Sequence, residues 1–374
     1  MQKTISRSFG DKYKICVISD IHGNLKLLEK LLLKLNLSDE DFLIFNGDYI
    51  NRGEQSADTL RRLKQLADQK STFVLKGNLE GLADWYMERG HPEEIIAHFS
   101  DHKNNLLCEW ARECGYQNVD CDNFNEIREC LSEKYADEIK ALKELPLALE
   151  SEDFIFVHAG LSGKGTLYDS TDRQILKNDE YLAHGKNNTG KWVVVGHTPV
   201  WNVPESENTN NPLIFENRKI IGIDGGNCVK SYSQLNALII EKSKNTISFG
   251  NVFADGSPVI NACSDFVPES GNGFFKDSWP DYMLNILETG EDFSLCEKTI
   301  SKEIGLVKNE HIGLKNNQYQ FFKNSCSHIL SVKKGERLYL LDENGGRYAF
   351  VKNMWGEVGW VLKNALDLCI FQSR

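Results

Sequence analysis

The chain has 374 residues, of which 41% are hydrophobic, 10% aromatic and 26% charged; this fills hydrophobic cores and excludes a disordered tail, a collagen-like fibre and a small disulfide-stapled module. At roughly 150 residues per domain the length predicts two domains or three. The formal net charge of −11 argues against broad nucleic-acid binding, which needs clustered Lys and Arg, and repels anionic substrates unless metals or local arginines reverse the sign at a site.

In chain order, the runs Lys14–Ser19, Phe42–Phe45, Thr72–Leu75, Phe154–Val157, Trp192–Val195 and Ile220–Ile223 are short and nearly all apolar, the pattern of strands buried on both faces. Between the first three lie two helical stripes, one with leucines at 27, 28, 31, 32 and 35, the other with Leu60, Leu63 and Leu66. Strand–helix–strand–helix–strand predicts parallel pairing with right-handed crossovers. Leu235–Ile240 reads as a closing strand. Residues 82–150 interrupt the alternation as a charged, mostly helical insertion that either caps a site or decorates the surface. From Phe253 the texture changes: 255–318 reads as a connector, rich at first in Gly, Pro, Ser and Asn, with 276–318 either part of that connector or a second partial barrel. From about Tyr319 to the end, strands joined by Gly-containing turns predict a small antiparallel barrel. No solenoid-type repeat is visible.

No apolar run approaches the ~20 residues that cross a bilayer, and the first fifteen residues show no secretory pattern. Ten cysteines, from Cys16 to Cys369, include no C-x-x-C pair. They read as reduced thiols of a cytoplasmic protein with no membrane and no nucleic-acid partner.

The chemistry gathers at the strand ends. The first strand runs into Ser19-Asp20-Ile21-His22-Gly23-Asn24, the second into Gly47-Asp48-Tyr49-Ile50-Asn51-Arg52-Gly53, the third into Gly77-Asn78-Leu79-Glu80; Val157-His158-Ala159-Gly160 and Gly196-His197-Thr198-Pro199 follow. In open α/β folds, ligands bind beyond the carboxyl ends of strands, so these ends are expected to converge. Two Asp, one Asn and three His suit Mn, Fe or Zn rather than Ca or Cu(I). Asp48 is the natural bridge between two ions, with Asp20 and His22 completing one and Asn78, His158 and His197 the other. Two such ions acidify a shared water and clamp a phosphoryl oxygen. A lone D-x-H-G carries little weight; five ligand-bearing segments in order, each behind a buried-type strand, carry much more.

Over roughly residues 13–250 these motifs resemble the calcineurin-like metallophosphoesterases, and more narrowly the bacterial phosphoprotein phosphatases, with their GDxHG, GDxxDRG, GNHE, H(A/G)G and GH segments. The resemblance implies an α/β (α+β) fold: a two-layer β-sandwich flanked by helices, four layers in all. It also implies two divalent metals, usually Mn or Fe/Zn, and hydrolysis of phosphoesters by metal-bound hydroxide. The implied ligands are Asp20, His22, Asp48, Asn78, His158 and His197. Arg52 matches one phosphate-binding arginine, and Arg173 is a match for the second or a plain surface residue. Asp224, at the end of the Ile220–Ile223 strand, is a candidate acceptor for a ligand imidazole or a simple turn residue.

Two departures stand out. GNHE reads GNLE, so Leu79 replaces the histidine that protonates the leaving oxygen. DRG reads NRG, so Asn51 replaces its aspartate partner. A general acid is typically worth about 10²–10⁴ in rate; without it an alkoxide leaves poorly, whereas a phenolate or an anhydride phosphate needs far less help. Three readings follow: a phosphatase for phosphoprotein or small phosphomonoester substrates that favours aryl esters, a dinucleoside-polyphosphate hydrolase, or a metal- and phosphate-binding scaffold with little turnover. His91, His98 and His102 could supply an acid from a cap, or are solvated surface residues. The C-terminal stretch resembles a bacterial SH3-like domain on Val332–Glu336 and Tyr348–Trp360. Trp355, Trp360, Tyr339 and Tyr348 would there line a peptide groove or, for Trp360 above all, fill a small core.

Overall fold

The computed structural model of the chain describes residues 4–101, 104–268 and 274–368. The chain folds into two compact units. The first comprises Met1–Val200, Pro212–Val229 and Gln234–Ala254; the second comprises Trp201–Asn211, Lys230–Ser233 and Asp255–Arg374.

In the first unit the elements run β1 (Thr4–Ser6), β2 (Lys12–Ile18), α1 (Leu25–Leu35), β3 (Phe42–Asn46), α2 (Ser56–Ala67), β4 (Thr72–Leu75), α3 (Asn78–Asp84), α4 (Pro92–Asp101), α5 (Leu106–Glu113), α6 (Phe124–Lys134) and α7 (Ala136–Glu144). There follow β5 (Ala148–Glu150), β6 (Phe154–Val157), α8 (Asp172–Leu176), α9 (Tyr181–His184), β7 (Trp192–Val195), β8 (Leu213–Phe215), β9 (Ile220–Gly222), β10 (Leu235–Ser243) and β11 (Thr246–Ala254). Among the described residues one sheet has the order β11-β10-β2-β3-β4 and the other β1-β5-β6-β7-β9-β8. As the alternation predicts, β2, β3 and β4 pair in parallel, and so do β6, β7 and β9. The closing strand β10 pairs antiparallel with β2.

Strands buried on both faces need two apolar layers, and both are present. Ile15, Val17, Ile44, Phe154, Phe156, Val194 and Ile221 form one core with residues of both sheets. The Leu27, Leu28, Leu31 and Leu35 stripe of α1 and Leu63 and Leu66 of α2 join a second. That second core also takes in Trp110 of α5, Phe124, Ile127 and Leu131 of α6, and Ile139 and Leu142 of α7. The insertion is therefore packed into the body of the unit on apolar residues at helical spacing.

The second unit holds β12 (Val259–Asn261), β13 (Met283–Glu288), β14 (Phe293–Lys298), β15 (Ile304–Lys308), β16 (Ile312–Lys315), β17 (Gln318–Phe321), β18 (Arg337–Gly345), β19 (Tyr348–Asn353) and β20 (Val358–Leu362). They form two antiparallel sheets, β15-β14-β13-β17-β16 and β12-β18-β19-β20. Closure of the expected barrel is not seen among the described residues: β12 and β20 stay at opposite edges. Of the two readings of 276–318, the strands favour the partial barrel over the connector, since β13 to β16 and the start of β17 lie there, and position 319 falls inside the β16–β17 hairpin. A short repeat also emerges. Glu303-Ile304-Gly305-Leu306-Val307 and Glu357-Val358-Gly359-Trp360-Val361 each end a hairpin and run into a 3₁₀ turn, Asn309–His311 and Lys363–Ala365. The residues before the two turns share nearly one backbone geometry, φ/ψ −60°/128° and −60°/133°.

Of the two readings of the aromatic residues there, burial favours core filling over a groove. Trp360 is fully buried, its Nε1–H donating to the Cys326 carbonyl at 2.9 Å, and Tyr339 is buried too. Trp355 alone of the four is widely exposed, at 70%. The nine described cysteines are all free thiols, and among the described residues no helix is long and apolar enough to cross a membrane.

Candidate metal centre

Each expected ligand sits where a core strand of the first unit ends. Asp20 and His22 follow β2, Asp48 follows β3, Asn78 opens α3 behind β4, and His158 and His197 follow β6 and β7. Because parallel strands deliver their carboxyl ends to one edge, the two sheets bring these residues together. Asn46 ties the sheets at that edge, its side-chain amide donating to the carbonyls of Val157 (2.9 Å) and Val194 (3.3 Å). Asp20, His22 and Asp48 form one group with donor atoms within 4.8 Å of one another, and Asp48, His158 and His197 form a second. Asp48 belongs to both. The Asn78 Oδ1 lies 3.1 Å from His158 Nε2.

The backbone is bent to make this possible. Asp20, His22, Asp48, Asn51, Arg52 and His197 all have φ between 51° and 73°, a left-handed conformation that costs a non-glycine residue free energy and clusters at functional sites. Gly47, at φ +90°, precedes Asp48, and a Cβ there would lie 2.6 Å from His158 Nδ1. The close approach of the β3 end to the imidazole requires glycine.

Several residues that the motifs leave without a role hold the candidate ligands in place. Glu80 is fully buried and accepts from the backbone N–H groups of Gly77 (2.8 Å), Asp48 (2.9 Å) and Tyr49 (3.1 Å). It caps α3 and fixes the Asp48 loop at once. Asn227 donates to the carbonyls of Asp20 and Ile21, Ser19 donates to the Asp20 carboxylate, and the His197 N–H donates to the same carboxylate. Glu80 was visible in sequence as the last residue of GNLE; Asn46 and Asn227 carry no motif signal. Asp224 does not buttress an imidazole. Its Oδ1 accepts from the Gly226 N–H at 2.7 Å and its buried Oδ2 has no partner. Imidazole contacts come instead from the Asn46 carbonyl on His158 Nδ1 (2.9 Å) and the Asp179 carboxylate on His197 Nε2 (2.7 Å).

Electrostatically the cluster is under tension. Burial and the Asp48 charge hold a proton on Asp20 above the ordinary carboxylate range, and burial pushes Asp224 up as well. Burial lowers His22 to about 4. His158 rises to about 10, because the Asp48 carboxylate 3.4 Å away outweighs the cost of burying its charge. His22 Nδ1 is buried without a hydrogen-bond partner. Packed carboxylates and imidazoles, with an orphaned ring nitrogen on His22, are a donor set that fits divalent cations.

The remaining expected residues divide. Arg52 is exposed, and its charge acts on both His22 and Cys228 beside the cluster. Arg173 lies exposed on the five-residue α8. Leu79 is buried and belongs to the core that includes Tyr86, Leu106, Leu107 and Trp110. Its backbone N–H donates to the Asp48 carboxylate at 2.9 Å. Asn51 Oδ1 accepts from the Leu106 N–H at 2.9 Å. His91 is exposed and His98 packs against the rings of Trp85 and Tyr86; His102 lies outside the described residues.

Comparison with known proteins gives this arrangement a family. The calcineurin-like phosphoesterase family profile matches residues 13–231. The chain belongs to the calcineurin-like phosphoesterase family. Its members use a dinuclear metal centre, and this member is a phosphoester hydrolase. The chain is 26% identical over 239 residues to the asymmetrical bis(5'-nucleosyl)-tetraphosphatase PrpE of Oceanobacillus iheyensis, spanning 55% of this chain and 86% of that protein. It is 38% identical over 88 residues to serine/threonine-protein phosphatase 2 of Escherichia coli, 23% of this chain and 38% of that one. Among solved structures, the cold-active protein-tyrosine phosphatase of a psychrophilic Shewanella matches with a TM-score of 0.41 at 15% identity, over 67% of this chain and 82% of that one.

Proposed function

We propose that this calcineurin-like phosphoesterase hydrolyses phosphoesters and phosphoanhydrides whose leaving groups are already acidic. In this reading Asp20, His22 and Asp48 hold one divalent cation, and Asp48, Asn78, His158 and His197 hold the other. Cations held there supply Lewis acidity for a phosphoryl oxygen and lower the pKa of bound water. The protein's share is to orient. Asp48, fixed by Glu80 and the Leu79 N–H, faces both groups of ligands. Arg52 offers a guanidinium fork to the phosphoryl oxygens, with Arg173 a second candidate.

One observation carries the substrate preference. The position that holds the family's general acid is Leu79, buried among apolar side chains, and its would-be partner Asn51 is committed to the Leu106 N–H. A hydrocarbon cannot protonate a leaving oxygen, so the ~10²–10⁴ of an acid catalyst is not available from that position. Aryl phosphates and polyphosphate anhydrides lose least by this. A second reading narrows the first: the likeness to PrpE, over most of that protein's length, favours a dinucleoside polyphosphate.

The test is kcat/KM of the metal-loaded chain across aryl phosphates of graded phenol acidity, an alkyl phosphate, phosphoserine peptide, phosphotyrosine peptide and a dinucleoside tetraphosphate. The proposal expects rates to fall steeply as the leaving group becomes more basic. Equal rates on aryl and alkyl esters would refute it.

A further inference from the structure

The loop that carries Arg52 is held from outside by the insertion. Helix α2 begins at Ser56, but its N-cap residue Gln55 makes no side-chain capping bond, which leaves the first N–H groups of the helix without a local partner. Glu109 of α5 fills the gap across more than fifty residues of sequence. Its two carboxylate oxygens accept from the N–H groups of Ser56 (2.9 Å) and Ala57 (2.7 Å). Glu109 is itself buried, and a carboxylate at a helix N-terminus is favoured by the backbone dipoles there.

The same segment of the insertion grips the loop at its other end. The Arg52 N–H donates to the Asn104 carbonyl at 2.8 Å. The Asn51 side chain accepts from the Leu106 N–H at the start of α5, and the Asn51 N–H donates to Ser56 Oγ at 2.9 Å. Asn51 and Arg52 stand at φ 65° and 73°, a conformation that persists only where surrounding bonds impose it. Those bonds come in large part from residues 104–109.

We propose that Glu109 is a positioning residue for substrate phosphate. By capping α2 it fixes the Asn51–Gln55 loop and so places the Arg52 guanidinium; this rests on the reading of Arg52 as the phosphate-binding arginine. The insertion then acts on the reaction by setting the reach of that arginine.

The experiment is a double-mutant cycle of Glu109→Ala with Arg52→Ala in the full chain. It is read by KM and kcat for p-nitrophenyl phosphate, by calorimetric affinity for inorganic phosphate, and by metal stoichiometry. Misplacing a binding group by about 1 Å can cost up to about 10²-fold. Glu109→Ala is therefore expected to raise KM and weaken phosphate about tenfold or more, with kcat within about twofold and two metals retained. In the Arg52→Ala background the same change is expected to add nothing. Glu109→Gln keeps one acceptor oxygen and should fall between wild type and alanine; it carries the cycle if the alanine variant does not fold. An undiminished Glu109 effect in the Arg52→Ala background would overturn the proposal, as would loss of metal together with kcat at unchanged phosphate affinity. Failure of the wild type to turn over any phosphoester contradicts the functional reading instead, and the phosphate calorimetry still decides the role of Glu109.

Discussion

In the second unit buried charges are closely paired. Lys276 donates to the Val203 carbonyl, Ser206 Oγ and the Glu207 carbonyl. Lys352 meets Asp255 at 2.7 Å with both side chains almost wholly buried. Asp342 takes bonds from Tyr232, Lys323 and Asn344. In the first unit, at the strand ends, Asp20 and Asp48 crowd together with three imidazoles, and Asp224 acts on them through its charge. His22 Nδ1, Asn46 Oδ1 and Asp224 Oδ2 lack partners, and the six strained residues are gathered there. Both regions bury polar groups and both leave some without a partner, His311 Nδ1 and Ser325 Oγ in the second unit among them, but only the first gathers carboxylates and imidazoles whose donor atoms lie within 4.8 Å of one another. Ion pairs spread one by one serve a scaffold; converging carboxylates and imidazoles describe a site for cations.

The largest effect that would break this contrast is expected from Asp48→Asn, which removes the carboxylate shared by both ligand groups. Hydrolysis of p-nitrophenyl phosphate should drop to the level of the uncatalysed blank; full activity would mean that the ligands are misassigned. Next comes Lys352→Ala in the second unit. Removing one partner of a buried ion pair typically costs about 3–5 kcal/mol, so denaturant unfolding should show a clear loss of stability while metal stoichiometry stays at wild type. Loss of metal in this variant would erase the distinction between scaffold and site. A smaller effect is expected from Leu79→His with Asn51→Asp. The added aspartate oxygen can orient the new imidazole while the other keeps the Leu106 N–H, and turnover of an alkyl phosphate should rise by about 10²-fold, the low end for a general acid. An unchanged ratio of alkyl to aryl rates would show that the missing histidine does not set the preference.

Much of the first unit was legible because its strands are short apolar runs, and because a parallel arrangement forces the ends of β2, β3, β4, β6 and β7 to one edge. The candidate ligands stand directly behind those runs, so reading the strands locates the candidate site. What holds the ligands was less visible. Glu109 meets Ser56 across 53 positions, and Asn227 meets Asp20 across 207; no local pattern encodes such pairings. Asp224 stayed open between two readings because a strand-end aspartate can turn toward the backbone as readily as toward an imidazole; here its side chain accepts from the Gly226 N–H. In the second unit β13 to β17 were legible only as one of two alternatives, for another reason. The buried positions of β14 are Ser294, Cys296 and Lys298, so burial alternates there without a matching apolar pattern in the sequence, and a register shift interrupts β13 against β14. The Trp201–Asn211 and Lys230–Ser233 segments belong to that unit although they lie in sequence among strands of the first; only long-range bonds such as Trp201 Nε1–H to Asp277 reveal it.

The central claim is that one crevice of the first unit holds two cations that share Asp48. Electron paramagnetic resonance of the chain loaded with manganese tests this directly, with metal content measured on the same sample. The account predicts two ions per chain and the spectrum of an exchange-coupled pair, with the coupling lost in Asp48→Asn. A spectrum of isolated manganese at any loading, or the same coupled signal in the variant, would contradict it.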